Sequence, residues 1–289
     1  MASRQQIKSR IKSVKNTRQI TKAMQLVAAS KLRRSQDAAE RPAVYARLAR
    51  QMLTRLRQLD GAEQFTWFNV RPVKKRYLVV IASNLGLAGA YDGNIIRQLI
   101  VEVKMDREAG IETSIICIGR KVGHAAARIA DLHIEAIYDA LPEHPNSDDL
   151  RPLLGQIVGH FADGEADAVD LIYTHYISTI NTVAAIQRVL PAGFHEEELS
   201  DQLSIAEAEP SPLLLLEAVT LQLLESQLYQ AVLEAIASEQ SMRMLAMKSA
   251  TDNAGGIIDD LTLAFNNARQ AAITQELAEI SGGAEALNG

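Results

Sequence analysis

The stretch SNLGLAGAYDGN, residues 83–94, is the part of this sequence best placed for chemistry. It follows the apolar run LVVIAS and precedes a helical stretch, where a strand-to-helix turn would hold a phosphate on a helix N-terminus. Its glycines at 86, 89 and 93 do not fit G-x-G-x-x-G, and no Gly-Lys-Ser/Thr follows to hold a triphosphate and its magnesium. A tight structural turn is the better expectation. The six histidines (124, 133, 144, 160, 175 and 195) are scattered, without an H-E-x-x-H or comparable metal spacing. His175, in THYIS, alternates with apolar neighbours as an ordinary strand residue does. The acids Asp259–Asp260 and Glu196–Glu197–Glu198 read as a helix face and a loop. Cys117 is the single cysteine, which excludes an internal disulfide framework; set in SIICIG, it reads as a buried strand thiol. No serine or threonine has a nucleophile-elbow context. The expectation is a chain with no catalytic residue, no metal and no cofactor of its own.

Charge is distributed unevenly. Residues 1–57 hold 15 Lys and Arg against two acids, a net +13, whereas residues 213–281 hold nine acids against three bases, a net −6. Such asymmetry implies either a polyanionic partner or an acidic protein surface. Aromatic residues are 4% of the chain, which favours helix packing by Leu, Ile, Val and Ala over an aromatic ligand pocket. No apolar run approaches the ~18 residues that span a bilayer, and the basic N-terminus lacks the apolar segment of a signal peptide. A chain kept in the cytoplasm, touching a membrane only through a partner, is expected.

Two long helical stretches must frame the middle. From Ser3 to about Leu59 there is no glycine, and Ile7, Ile11, Val14, then Ile20, Met24 and Val27, form a narrow seam of helical period. Pro42 is expected to kink or interrupt it. At the other end, EPSP (209–212) is a helix-start signal. Leu221, Leu224, Leu228, Ala231 and Ala235, then Ile258, Leu261, Phe265, Ala268 and Ala272, carry a second seam. Gly255–Gly256 are expected to loosen it and Gly282–Gly283 to end it. Helices of roughly 85 and 100 Å do not fit inside a globule. An antiparallel coiled coil of the two ends, basic against acidic, is therefore expected. Between them, 74–83, 112–119, 132–140 and 167–178 read as strands alternating with helices near 94–108, 120–130 and 147–162, the pattern of a mostly parallel, Rossmann-like α/β domain. The expected organisation is 1–59 helix, 73–195 α/β domain, 196–212 acidic connecting loop and 213–283 helix.

At both ends the residues resemble a known family. KSRIKSVKNTRQITKAMQLVAASKLRRSQ (8–36) resembles the N-terminal helix of the γ subunits of F-type ATP synthases, and residues 225–287, including RQAAITQELAEI, resemble their C-terminal helix. The middle resembles the family more loosely, through SNLGLAGAYDGN. It departs there: Asn84 stands where aspartate is usual, Ala88 where cysteine is common, Asp92 where asparagine is usual, and Phe265 where tyrosine is common.

The resemblance implies a rotor. Its helical ends would form a shaft inside a ring of three α and three β subunits, with the α/β domain as a foot on the ε subunit and the membrane c ring. Catalysis would belong to the β subunits. By the same resemblance, Lys22, Met24, Lys31, Arg33, Arg34, Arg243, Arg269, Gln270, Thr274 and Glu276 match positions that contact the α/β ring, and small residues such as Ala28 and Ala29 would ease the turning of one helix past three levers. Met24 also reads as a seam residue, and the two readings are compatible. The implied location is the cytoplasmic face of a bacterial inner membrane, held there through the c ring. Two other readings compete. The basic helix could bind nucleic acid with steep salt dependence, although no aromatic interleaves it between Met1 and Val44 and its Ile/Val seam wants a protein partner. A nucleotide-dependent enzyme would rest on 83–94 alone.

Overall fold

A computed structural model describes residues 4–58, 65–139, 141–142, 145–193 and 212–288. The chain divides into two compact units, Met1–Ala28 with Met244–Gly289, and Ala29–Arg243.

The first unit is helical. It contains the start of α1 (Arg4–Arg57) and most of a C-terminal helix, Pro212–Asn288. Thr251 donates to Thr21 at 2.8 Å, and the Arg18 guanidinium lies 3.8 Å from where a Cβ on Gly255 would stand. Contact positions rise on one helix as they fall on the other, so the pair is antiparallel. A Cβ at Gly255 would be in ordinary contact with Arg18, and the helix runs unbroken through Gly255–Gly256. It also continues past Gly282–Gly283 to Asn288, and α1 continues through Pro42. Neither helix is interrupted at these positions, although a glycine costs ~1 kcal/mol and a proline ~3 kcal/mol in a helix interior.

The seam on α1 also differs from the expected one. Ile7 and Ala28 are buried and Ile11, Val14, Thr21 and Met24 half-buried, but Ile20 and Val27 are 61% and 55% exposed. A side chain one position away takes each place. Ala28, 1% exposed, is buried within the chain. Leu221 is likewise exposed, its place taken by Thr220, Leu223 and Leu224.

The second unit is a layered α/β structure. Strands β1 (Lys75–Ile81), β2 (Glu112–Ile118), β3 (His133–Tyr138), β4 (Ala168–Ser178) and β5 (Asn181–Leu190) form one sheet in the order β3-β2-β1-β4-β5. The first four are parallel, with Leu78 opposite Ile115 and Asp170; β5 returns antiparallel to β4. The sequence reading missed β5, whose NTVAAIQRVL lacks the strict alternation of an edge strand because half of it is only partly buried. Helices α2 (Tyr91–Glu108), α3 (Arg120–Ala126) and α4 (Arg151–Ala162) complete the expected βα pattern, with small boundary shifts.

Alternate residues of β1 divide between two cores, as the strand period demands. Leu78 and Val80 meet Ile95, Leu99, Val103, Val122 and Ala126 from α2 and α3. Tyr77, Val79 and Ile81 join a larger cluster that includes Phe161 of α4, Leu53 and Leu56 of α1, and Leu224, Leu228 and Val232 of the C-terminal helix, here α5. A sheet buried on both faces needs two helical layers. The inner portions of α1 and α5 supply most of one layer, so this unit needs segments far outside 73–195. Each fully buried Leu or Val there contributes about 1.5–3 kcal/mol.

Candidate functional site

In the first unit, all but one of the residues expected to meet a partner are open to solvent. Lys22 is exposed and donates to Gln25 at 3.2 Å; Met24 is half-buried. Arg269, Gln270, Thr274 and Glu276 are exposed, and the Thr274 hydroxyl is turned back onto the Gln270 carbonyl at 3.0 Å. Ile20, Leu26 and Val27 of α1 are also more than half exposed. Large apolar groups left exposed on a helix in that number mark a surface suited to a protein partner.

In the second unit, Arg33 and Arg34 are exposed and Lys31 is half-buried. Arg243 is different. It is 8% exposed; its Nη1 lies 2.7 Å from Glu239 Oε1, one turn earlier on α5, while Nη2 donates to the Leu85 carbonyl at 3.1 Å and reaches the Gly86 carbonyl at 3.4 Å. Burial raises the Glu239 carboxyl above its ordinary range, and Arg243 opposes that shift. Arg243 therefore ties α5 to the β1–α2 loop.

That loop is SNLGLAGAYDGN, and it is closed by its own side chains. Asp92 accepts from the Ser83 N–H at 3.0 Å and lies 2.8 Å from the Ser83 hydroxyl. Asn84 accepts the Arg120 N–H at 3.0 Å, satisfying the first turn of α3. The two unusual residues thus anchor the two ends of one turn: an amide caps α3, and a carboxylate holds Ser83. Tyr91 is buried below, its hydroxyl pushed well above its ordinary range by burial. The crevice beyond the strand ends, where an open α/β sheet binds nucleotides, is lined by Ile81, Asn84, Leu85 and Gly119 together with Lys31 of α1 and Val232, Ala235, Ile236 and Glu239 of α5. The loop is a structural turn bonded to a helix.

Other polar groups come together that the sequence did not suggest. Arg76 bonds Asp170 at 2.5 Å, Asp106 at 2.8 Å and Glu102 at 3.1 Å, and Arg188 also bonds Asp170. Burial opposes the Arg76 charge, but these carboxylates outweigh it and raise its pKa. The network joins β1, α2, β4 and β5. Its members are dispersed over more than a hundred residues, and no local spacing announces it. His160 stacks on Tyr77 at 4.7 Å and lies 2.6 Å from Glu165, while His133 lies 3.2 Å from Glu135. No group of His, Cys, Asp or Glu suited to a metal exists among the described residues. His175 is a β4 residue with Nδ1 2.5 Å from Glu234. Cys117 is buried in β2, its thiol pushed up to about 12 by burial. His144, His195, Glu196–Glu198 and the connecting loop lie outside the described residues.

Comparison with known proteins agrees in sequence and in fold. A family model described as ATP synthase matches residues 3–287. The ATP synthase gamma chain of Acidithiobacillus ferrooxidans is 39% identical over 99% of this chain and all of its own length, and that of Stenotrophomonas maltophilia 37% identical over 99% and all of its own. Among solved structures, a chain of the central stalk and c ring of Tetrahymena thermophila mitochondrial ATP synthase is 25% identical, covering 80% of this chain and 99% of that one with a TM-score of 0.59. A chain of the Euglena gracilis mitochondrial enzyme, at 19% identity, shares the fold over 97% of this chain and 93% of its own with a TM-score of 0.66.

Proposed function

The chain belongs to the ATP synthase gamma chain family, and on that premise we propose that it is the rotor shaft of a central stalk, carrying torque between a membrane c ring and the β subunits of an F-type complex. The site residues divide the work. Lys22, Met24, Arg269, Gln270, Thr274 and Glu276 meet the α/β ring from the first unit; Lys31, Arg33 and Arg34 add attraction to acidic segments of that ring. Arg243 acts from inside, holding α5 to the β1–α2 loop. The helical ends 1–59 and 213–283 serve as shaft, and 73–195 as foot on the ε subunit and the c ring. The chain has no catalytic site of its own, and it binds no nucleic acid.

The observation that carries this reading is the exposed face of α1, where Ile20, Leu26 and Val27 accompany Lys22 although a stable helix pair has formed on the other side. A helix that has already buried its seam and still presents large apolar groups needs a second protein surface. No helix among the described residues is long and apolar enough to cross a membrane, which fits attachment through a partner. On this reading the complex sits at the cytoplasmic face of a bacterial inner membrane.

The test is a pull-down of the tagged chain from membranes, with stoichiometry and ATPase activity. Two larger subunits in threefold excess, with magnesium-dependent ATPase activity, are expected. Recovery of the chain alone, or with RNA, would overturn the proposal.

A further inference from the structure

The β4–β5 hairpin reaches beyond the rest of the sheet. β1 pairs with β4 only as far as Ile172, and from Tyr173 onward β4 has β5 as its one strand partner among the described residues. A two-stranded hairpin alone is marginal in water, so this arm needs another support. Within the second unit it is tied to one face of α5 at Glu234, Ser238 and Ser241, which are spaced four and three apart. His175 Nδ1 lies 2.5 Å from Glu234, the Ser238 hydroxyl donates to the Thr174 carbonyl at 3.1 Å, and the Ser241 hydroxyl donates to the Thr179 carbonyl. Both serines are 0% exposed. Close approach alone does not require a hydroxyl, since α5 uses alanine at the buried positions Ala231, Ala235 and Ala237.

The apolar groups that α5 sets against the sheet, Leu224, Leu228 and Val232 among them, hold the two together without fixing an angle, because apolar attraction has no direction. Hydroxyl bonds fix one. With side chains a helix has a radius of ~5 Å, so a turn of about 20° carries a hydroxyl roughly 2 Å from its acceptor, out of bonding range. We propose that the hairpin is a bracket that sets the rotational register of α5 on the sheet, with Ser238 and Ser241 as its positioning residues. The inference rests on the rotor reading: torque crossing between the α/β domain and α5 is resisted by these directional bonds, where an apolar layer alone yields by sliding. Each hydrogen bond shifts a two-position equilibrium roughly fivefold, so losing both makes a slipped register roughly twenty-five times more populated.

The test uses inverted membrane vesicles carrying the complex with Ser238→Ala and Ser241→Ala combined, and follows ion uptake and ATP hydrolysis together while the ion gradient builds. With an ionophore present there is no opposing load, and hydrolysis should match the parent. As the gradient opposes rotation, uptake per ATP hydrolysed should fall about twofold or more below the parent. The single variants carry the same test at a smaller effect if the double one does not assemble. Leu228→Ala is the control: it removes an apolar contact from the same helix and should lower the urea midpoint of the full-length chain more than the serine changes do, yet keep the parent's uptake per ATP. Serine variants that match the parent at every gradient, or a Leu228→Ala variant that slips as much as they do, would overturn the bracket and leave the rotor reading standing. A tagged chain that does not co-purify with magnesium-dependent ATPase activity would overturn the rotor reading, and the bracket with it.

Discussion

Arg243 on α5 is fastened to the backbone carbonyl of Leu85, 158 positions earlier, at 3.1 Å, while its other terminal nitrogen holds Glu239 at 2.7 Å. A residue that the family resemblance would turn outward to a partner is thus an internal tie between a long helix and the first loop of the sheet. Replacing Arg243 with Met leaves Glu239 without its hydrogen-bonded cation and takes one donor from the Leu85 carbonyl, which keeps the Ser83 hydroxyl at 2.7 Å. We expect a loss of about 3–5 kcal/mol, read from urea midpoints at pH 8. The sign of the pH dependence follows from burial, which raises Glu239 above 4.5 when folded. The folded state then holds the proton more tightly than the unfolded chain. This contribution is full below 4.5 and declines as pH rises above it. Removing Arg243 raises the carboxyl further, so the variant's deficit should widen from pH 4 to pH 8. A deficit independent of pH would show that Glu239 does not depend on Arg243.

Asp167 is expected to behave in the opposite sense. Burial alone would raise its pKa, but the N–H groups of Lys74 and Lys75, each 2.9 Å away, and the Arg71 guanidinium outweigh it and hold the pKa below 3.8. Its stabilisation is present above 3.8 and is lost as pH falls through the lowered value. Asp167→Asn should cost about 1–3 kcal/mol at pH 7, and the gap to the parent protein should close in acid. Thermal melts from pH 7 down to pH 3 measure it.

Gly119 joins β2 to α3 with φ of 104°, and a Cβ there would stand 2.2 Å from the Ala82 carbonyl oxygen. Gly119→Ala should destabilise by about 3 kcal/mol. Gly110 also has positive φ, at 71°, but has no atom within 4 Å of the same position. Gly110→Ala should therefore cost only about 1 kcal/mol, the left-handed backbone penalty alone. Equal urea midpoints for the two variants would refute the steric argument.

Cys117 should resist alkylation at pH 8, because burial pushes its thiol to about 12 and the thiolate is the reactive form. Labelling with iodoacetamide should proceed only as fast as the second unit opens, and should become rapid in urea.

Met24→Lys places a charge on the half-buried edge of α1 beside the exposed Ile20 and Val27. If this face meets the ring, ATP-driven ion pumping should fall while ATP hydrolysis persists. Unchanged pumping in membrane vesicles would remove Met24 from the contact.

Two long helices, four parallel strands and the polarity of charge are legible in the sequence, because each rests on neighbours in the chain: a run without glycine, a period of three and four, a βα alternation. The 83–94 stretch reads as a turn because it lacks both phosphate-binding patterns, but the contacts that fasten it, Asn84 with Arg120 and Leu85 with Arg243, join distant parts of the chain. The sequence also suggests which faces are apolar, but only to within one position. Ile20 and Val27 read as seam, yet Thr21, bonded to Thr251, and the buried Ala28 sit there, one position away on the helix. Local pattern likewise cannot reveal that α1 and α5 complete the layer on one face of the sheet, that Arg76 gathers three carboxylates, or that Arg243 points inward to Leu85. Those depend on tertiary structure alone, because a buried charge takes its partners from whatever the fold brings within about 3 Å, however far apart the chain has written them.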